Sequence, residues 1–275
     1  RVSADANSAL WLTSLKHRDE YTSIHSVNVC VFALAFGLHL GLEHDPLIRL
    51  GTGALLHDVG KTRTPDEILN KEGPLTPGEY ELIKRHAEDG YRLLEAAGGA
   101  AEEVLQIVRL HHERMSGGGY PLGLAGEDIP QHVRIVGLVD TYDAMTSDRA
   151  YRAAMPADDA LHELYHHAAE EFGADLVESF IRCLGIFPVG SVVELDNGAV
   201  GVVIATRDDA RLQPTLLMVR TPDGKAYEQR RLVNLAAPAE GGTTGHRIAR
   251  SLAPANSGID GARIVTLELG LDASA

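Results

Sequence analysis

Apolar residues recur at intervals of three and four from about Ser3 to Leu184, as in Leu50, Ala54 and Leu55 and again in Leu82, Ile83, Leu93 and Leu94. That spacing lines one face of an α-helix. After Phe187-Pro188-Val189-Gly190 the pattern changes to β-branched runs, Ser191–Leu195 and Ala199–Ile204, on either side of Asn197-Gly198. An Asn-Gly pair between two such runs is the strongest short signal for a hairpin. The switch confines the chain to a mainly α fold, a helical domain over 1–187 followed by a small β module over 188–236. Thr215–Arg220, entering the turn Thr221-Pro222-Asp223-Gly224, predicts another strand of that module. The Gly-, Ala- and Ser-rich stretch from Pro238 to Gly261 predicts a flexible tail over 237–275, with a late strand at Ile264–Leu269.

Local signals divide the helical part. Thr76-Pro77-Gly78-Glu79 is a capping box with proline at the first helical position, and Asp66 after Pro65 opens a short helix in a similar way. The longest apolar stretch, Val27 to Leu42, holds Asn28 and His39. It falls short of the roughly 20 residues that span a bilayer, so it reads as a buried helix and no membrane segment is expected.

Charge and cysteine content exclude several function classes. The formal charge is −14, from 25 Lys and Arg against 39 Asp and Glu. Long-range attraction to a DNA or RNA polymer, or to an anionic membrane, is therefore not expected, and an anionic substrate needs metals or placed cations. Cys30 and Cys183 build no disulfide framework and no CxxC pair, which predicts a reducing, cytoplasmic compartment. Any metal must then use histidine and carboxylate. The chain begins Arg1-Val2-Ser3, without an initiator methionine, and is expected to be part of a longer protein or a processed product.

Among the 13 histidines, His57-Asp58 ends an apolar helix, His86 lies in the next long helix, and His111-His112 precede Glu113. Singly, each fits a hydrogen-bonded helical histidine, and a His at a helix end often satisfies the last carbonyls. Together they form the ligand set for divalent Fe, Mn, Zn or Ni, and several imidazoles with a bridging carboxylate can hold two ions. Lys61, four residues after His57, adds a cation where metals already concentrate positive charge. A phosphate is the group that reconciles them.

His57-Asp58-Val59-Gly60-Lys61, then His111-His112-Glu113 and Gly119-Tyr120-Pro121, resemble the HD-GYP group of the HD phosphohydrolase superfamily. The resemblance runs from about Leu15 to Phe187 and includes Asp19–Ser26, Leu75–Glu79 leading to His86, and Asp140–Arg149. It implies an HD-type helical domain that hydrolyses cyclic di-GMP with two or three metals, often iron or manganese. Carried over by residue, His25, His57, Asp58 and Asp140 hold a first metal. Asp58 bridges to a second, completed by His86, His111 and His112. Lys61 lies beside the scissile phosphate, Arg149 and Arg152 grip the substrate's phosphates, and the Gly119-Tyr120-Pro121 loop borders the site or meets a protein partner. Tyr21 stands where a third metal needs a Glu, so two metals are expected.

The departures, His86-Ala87 and Arg149-Ala150-Tyr151-Arg152, remove no ligand or charge. Open at this level are another cyclic dinucleotide or phosphorylated nucleotide as substrate, a nucleotide-binding module without turnover, the product, and the oligomeric state. Gly60-Lys61-Thr62 imitates the end of a P-loop, but position 55 is Leu and the segment before it reads as helix. No Gly-x-Ser-x-Gly elbow is present, and neither cysteine lies in a nucleophile signature.

Overall fold

The computed structural model describes residues 20–71, 73–147, 154–207, 210, 212–237, 245–253 and 257–268, with the side chains of 20–23 and 230 outside that description. These residues divide into two compact units, those within 1–152 and 164–183, and those within 153–163 and 184–275.

The first unit is built on α1 (Glu20–His39) and α2 (His44–Leu56), which pack together. Val29, Ala33 and Phe36 of α1 are buried, at positions three and four apart. After α2 the chain tightens into a 3₁₀ turn (Val59–Arg63), followed by α3 (Asp66–Leu69), α4 (Pro77–Lys84), α5 (His86–Ala97), α6 (Glu102–Leu110) and α7 (Gln131–Thr146). The capping box at Thr76 forms: Glu79 N donates to Thr76 Oγ1 and Thr76 N donates to Glu79 Oε2. Helix α5 packs on the 3₁₀ turn and on α6, α6 on α2, and α7 on α1. Leu56, Val59, Leu93, Leu94, Val104 and Val108 fill the space between them. Phe180, on the later helix α10 (Ala174–Leu184; α9 is Ala169–Phe172, and α8, Ala157–Glu163, belongs to the second unit), stands edge-on to Phe36 at 5.1 Å and to Tyr142 at 5.4 Å.

The second unit holds an antiparallel sheet in the order β4-β3-β2-β1-β5. Its strands are β1 (Val192–Leu195), β2 (Val200–Ala205), β3 (Thr215–Arg220), β4 (Ala226–Asn234) and β5 (Ile248–Leu252). The Asn197-Gly198 turn joins β1 to β2 with Val192 opposite Val202 and Glu194 opposite Val200. Alternation then separates two buried faces, Val193, Val203, Leu216 and Met218 on one, Val192, Val200 and Val202 on the other.

Three expectations are corrected. Ile248–Leu252 is strand β5 rather than tail, because β1 offers it an open edge and Arg250 Nη2 reaches Glu194 Oε2 at 2.8 Å across the ladder. Gly261–Glu268 is helix α11 rather than a late strand. Asp260 Oδ1 accepts from Arg263 N at 2.9 Å, an N-cap that outweighs the β-propensity of Ile264 and Val265, which pack on the second sheet face. Helix α1 is buried on one side only: Ile24, Val27, Val31 and Leu38 are exposed by half or more, since α2 and α7 cover the opposite side. Among the described residues no helix is long and apolar enough to cross a membrane.

Candidate metal centre

Helix ends deliver three of the imidazoles. His57 follows the last residue of α2 and its Nδ1 lies 2.7 Å from the Ala54 carbonyl oxygen. His86 opens α5 with Nδ1 2.7 Å from the Ile83 oxygen. His111 follows α6 with Nδ1 3.1 Å from Val108 oxygen and 3.2 Å from Ile107 oxygen. A carbonyl oxygen only accepts, so each Nδ1 carries a proton and donates it. Burial makes protonation of His86 harder and holds His111 well below the ordinary histidine range, so in both Nε2 is an unprotonated lone pair.

Those lone pairs converge. His86 Nε2 and His111 Nε2 are 3.2 Å apart. His57 Nε2 is buried without a hydrogen-bond partner and lies 3.3 Å from Asp58 Oδ2. Acceptors facing acceptors in a desolvated pocket repel unless a cation lies among them. Neutral imidazole and ionised carboxylate are also the form that binds divalent metal, and the Nδ1 bonds to main-chain oxygen are the usual supports of a ligating Nε2. The donor set therefore fits a divalent ion.

Among the described residues two groups have ligand atoms within 4.8 Å of one another, His25 with His57 and Asp58, and His86 with His111 and His112. Asp58 faces both. Its Oδ2 is 3.3 Å from His57 Nε2 and 3.9 Å from His25 Nε2, while its Oδ1 is 3.4 Å from His86 Nε2. Burial raises the cost of ionising Asp58, but the Lys61 ammonium beside it outweighs that cost and holds the carboxyl well below its usual range. Asp140 on α7 brings Oδ1 to 3.0 Å from His25 Nε2 and 4.0 Å from His57 Nε2. Its carboxyl too is driven down despite burial, chiefly by the bond from His25. His25 shows the converse, since burial opposes its charge yet Asp140 and Asp143 push it up to about 9. Burial and then the neighbouring His86 bring His112 down to about 3. All seven residues that the resemblance names as ligands thus lie in one cluster.

Close backbone approach holds the cluster together. A Cβ on Gly60 would collide with the His86 carbonyl oxygen and the Gly90 nitrogen, so only glycine lets the Asp58–Lys61 turn lie on α5. Lys61 Nζ donates to Asp58 Oδ2 at 2.6 Å. A Cβ on Gly119 would stand 2.5 Å from His112 oxygen, Glu113 Cα and Arg114 nitrogen, so the Gly119-Tyr120-Pro121 loop lies directly on the segment that carries the histidine pair. The Tyr120–Pro121 peptide is cis, and the Tyr120 ring stacks on His112 with centroids 4.6 Å apart.

Two buried carboxylates received no role from the sequence. Asp143, one helical turn after Asp140 on the same face of α7, accepts from His25 Nδ1 at 2.6 Å and so aims His25 Nε2 at Asp140. The signal was its i+3 spacing from a proposed ligand. Glu113, buried beside the histidine pair, accepts from Leu122 N at 2.6 Å, Gly123 N at 3.1 Å and Leu124 N at 2.9 Å. Its carboxylate is committed to the loop. Arg149 and Arg152 lie outside the described residues, as does the side chain of Tyr21.

A cavity of about 770 Å³ opens over the cluster, bordered by Asp58, Lys61, His112, Tyr120 and Asp140 and, farther out, by Tyr80 and Ile83. That volume lies in the range of sites for nucleotide-sized ligands and far exceeds the need of an inorganic ion.

A family model described as an HD domain matches residues 9–176. A cyclic di-GMP phosphodiesterase of Pseudomonas aeruginosa is 38% identical over 230 residues, covering 83% of this chain and 55% of that protein. A cyclic di-GMP phosphodiesterase response regulator of Xanthomonas campestris is 37% identical over 170 residues, 62% of this chain and 45% of that protein. A 3′3′-cGAMP-specific phosphodiesterase of Vibrio cholerae is 34% identical over 152 residues, 55% of this chain and 35% of that protein. The chain thus spans about half or less of the length of these relatives. With its HD motif at His57-Asp58, its His111-His112 pair and its Gly119-Tyr120-Pro121 loop, the chain belongs to the HD domain family, within the HD-GYP group.

Proposed function

We propose that the protein is a metal-dependent phosphodiesterase that opens cyclic di-GMP to the linear dinucleotide, with or without further cleavage to GMP. The observation that carries this reading is Asp58, whose two oxygens face separate imidazole groups while Lys61 stands beside it at the cavity wall. Two divalent ions are assigned here, one to His25, His57, Asp58 and Asp140, the other to Asp58, His86, His111 and His112, with iron or manganese as the expected metals. When bound, such ions lower the pKa of a water molecule and offset charge on phosphoryl oxygens.

The protein's own groups do the rest. The Nδ1 bonds of His57, His86 and His111 to main-chain oxygens orient each Nε2 toward the cluster, burial opposes protonation of His86 and His111, and Asp143 orients His25. Lys61 meets a non-bridging phosphate oxygen with its ammonium, where negative charge grows as the P–O ester bond breaks and one water is added across it. Glu113 fixes the loop so that Tyr120 covers His112 and limits water at that side. Arg149 and Arg152 take the remaining phosphate charge, an assignment that rests on the sequence resemblance alone.

The relatives' activities toward cyclic di-GMP support the substrate, and the cyclic GMP-AMP enzyme defines the competitor to include. The test is anaerobic purification, metal analysis, and chromatography of products from cyclic di-GMP, 3′3′-cGAMP and bis(p-nitrophenyl) phosphate. Near two metals per chain with preferred cleavage of cyclic di-GMP is expected. Preferred cleavage of the mixed dinucleotide would reassign the substrate, and loaded protein inert on all three would remove the enzymatic reading.

A further inference from the structure

The wall of the cavity away from the imidazoles has a different character. Tyr80, on α4, is 48% exposed although it borders the same cavity as Asp58 and Lys61, with Ile83 one turn on and Leu69 nearby. Lys84, four residues after Tyr80, places Nζ 4.7 Å from the Tyr80 ring centroid and 5.5 Å from that of Tyr120. Tyr120 in turn lies on His112. Imidazole, phenol, ammonium and phenol therefore follow one another from the metal cluster outward. One face of Tyr120 is taken by His112, and burial pushes its phenol far up. Both phenols border the cavity, and Tyr80 is the more exposed of them, at 48% against a half-buried Tyr120.

A cyclic dinucleotide bound by one phosphate at the Asp58 cluster must still find surface for its purine rings. Planar bases gain most from stacking on an aromatic face, and the Lys84 ammonium over the Tyr80 ring, itself anchored by donating to Glu81 at 2.7 Å, holds that ring in place. We propose that Tyr80 is the platform on which a purine base of the substrate stacks, with Lys84 as the group that fixes the ring. This rests on the dinucleotide phosphodiesterase reading and adds a residue that selects the base rather than the phosphate. Among the described residues Tyr80 belongs to neither group of metal-ligand atoms, so its loss should leave the metal cluster intact.

The test uses the full metal-loaded chain as wild type, Tyr80→Ala, Tyr80→Phe and Tyr80→Trp, with cyclic di-GMP and cyclic di-UMP as substrates of equal charge but unequal ring area. Tyr80→Ala should raise KM for cyclic di-GMP by about tenfold, while Phe and Trp stay within about twofold of wild type. The KM for cyclic di-UMP should change less, and metal content should not change. An unchanged KM in Tyr80→Ala, equal changes for the two substrates, or loss of metal would overturn the stacking role while wild-type turnover of cyclic di-GMP left the enzymatic reading standing. Wild type that cleaves bis(p-nitrophenyl) phosphate but no cyclic dinucleotide would overturn both.

Discussion

Replacing Glu113 separates two explanations of the buried carboxylate that follows the histidine pair. If Glu113 serves the loop, its three N–H partners at Leu122, Gly123 and Leu124 are the whole of its task. Glu113→Gln keeps one oxygen for Leu122 and Gly123 but turns an amide NH₂ toward the Leu124 N–H, so one charge-assisted bond is lost and two donors face each other. Such a bond contributes about 1.5–3 kcal/mol. For a domain of this size each kcal/mol moves Tm by about 2–4 °C, so a fall of roughly 3–12 °C is expected. Glu113→Ala strands all three N–H groups and should fall further. Metal content measured by emission spectroscopy should stay at the wild-type level in Glu113→Gln, because its oxygens point to the loop, while kcat/KM drops with the loosened Tyr120. Loss of one metal equivalent from folded Glu113→Gln, or a Tm equal to wild type, would refute this account.

Other outcomes follow from contacts elsewhere in the helical unit. Asp58→Ala should lose both metals and all activity, whereas Lys61→Ala should keep the metals and lower turnover by about 10²-fold, as removal of a charge-stabilising donor does; wild-type turnover in Lys61→Ala would sink its assigned role. Asp143→Asn should weaken metal retention by about 10- to 100-fold in chelator competition, since it supports His25 from behind. Thr76→Ala should cost about 1 kcal/mol in denaturant unfolding through the lost cap of α4. Glu79, brought to about 2 by the bond from Lys71 and those from Thr76, has a folded pKa below its ordinary 4.5. Its contribution to stability is therefore present above that value and lost as pH falls toward 2, so the Tm difference between wild type and Glu79→Gln should shrink over that window.

What the sequence made legible was local or patterned. Three-and-four periodicity marked the helices, Thr76–Glu79 marked a cap, and Asn197-Gly198 marked the β1–β2 hairpin. The features it hid depend on partners remote in the chain. Strand β5 exists because β1, more than 50 residues earlier, lacks a second neighbour, as the |i−j| of 56 between Glu194 and Arg250 shows. Helix α11 turns on one cap at Asp260 that outweighs its β-branched residues. Asp143 meets His25 across 118 residues, a pairing that no local spacing encodes. Apolar residues of helix α1 such as Val27, Val29, Val31 and Phe36 fall on more than one side, so periodicity could not say which side would be covered.

The reading of His57 as a helix-end residue that satisfies carbonyls and its reading as a metal ligand are one interaction seen from two ends. The last carbonyls of a helix lack intrahelical donors, and an imidazole three residues on can supply one through Nδ1. That bond fixes the tautomer and leaves Nε2 a lone pair pointing away from the helix. The arrangement occurs three times here, at Ala54 with His57, Ile83 with His86 and Val108 with His111, always across an i−3 spacing. Three helix ends are brought to one point by the packing of α2, α5 and α6 and by the contact that Gly60 permits. Capping alone would leave three desolvated lone pairs in mutual repulsion, a cost that a stable fold has no reason to concentrate in one place. The same geometry becomes favourable when cations occupy the centre, so the cap at each helix end and the ligand it presents have a single physical explanation.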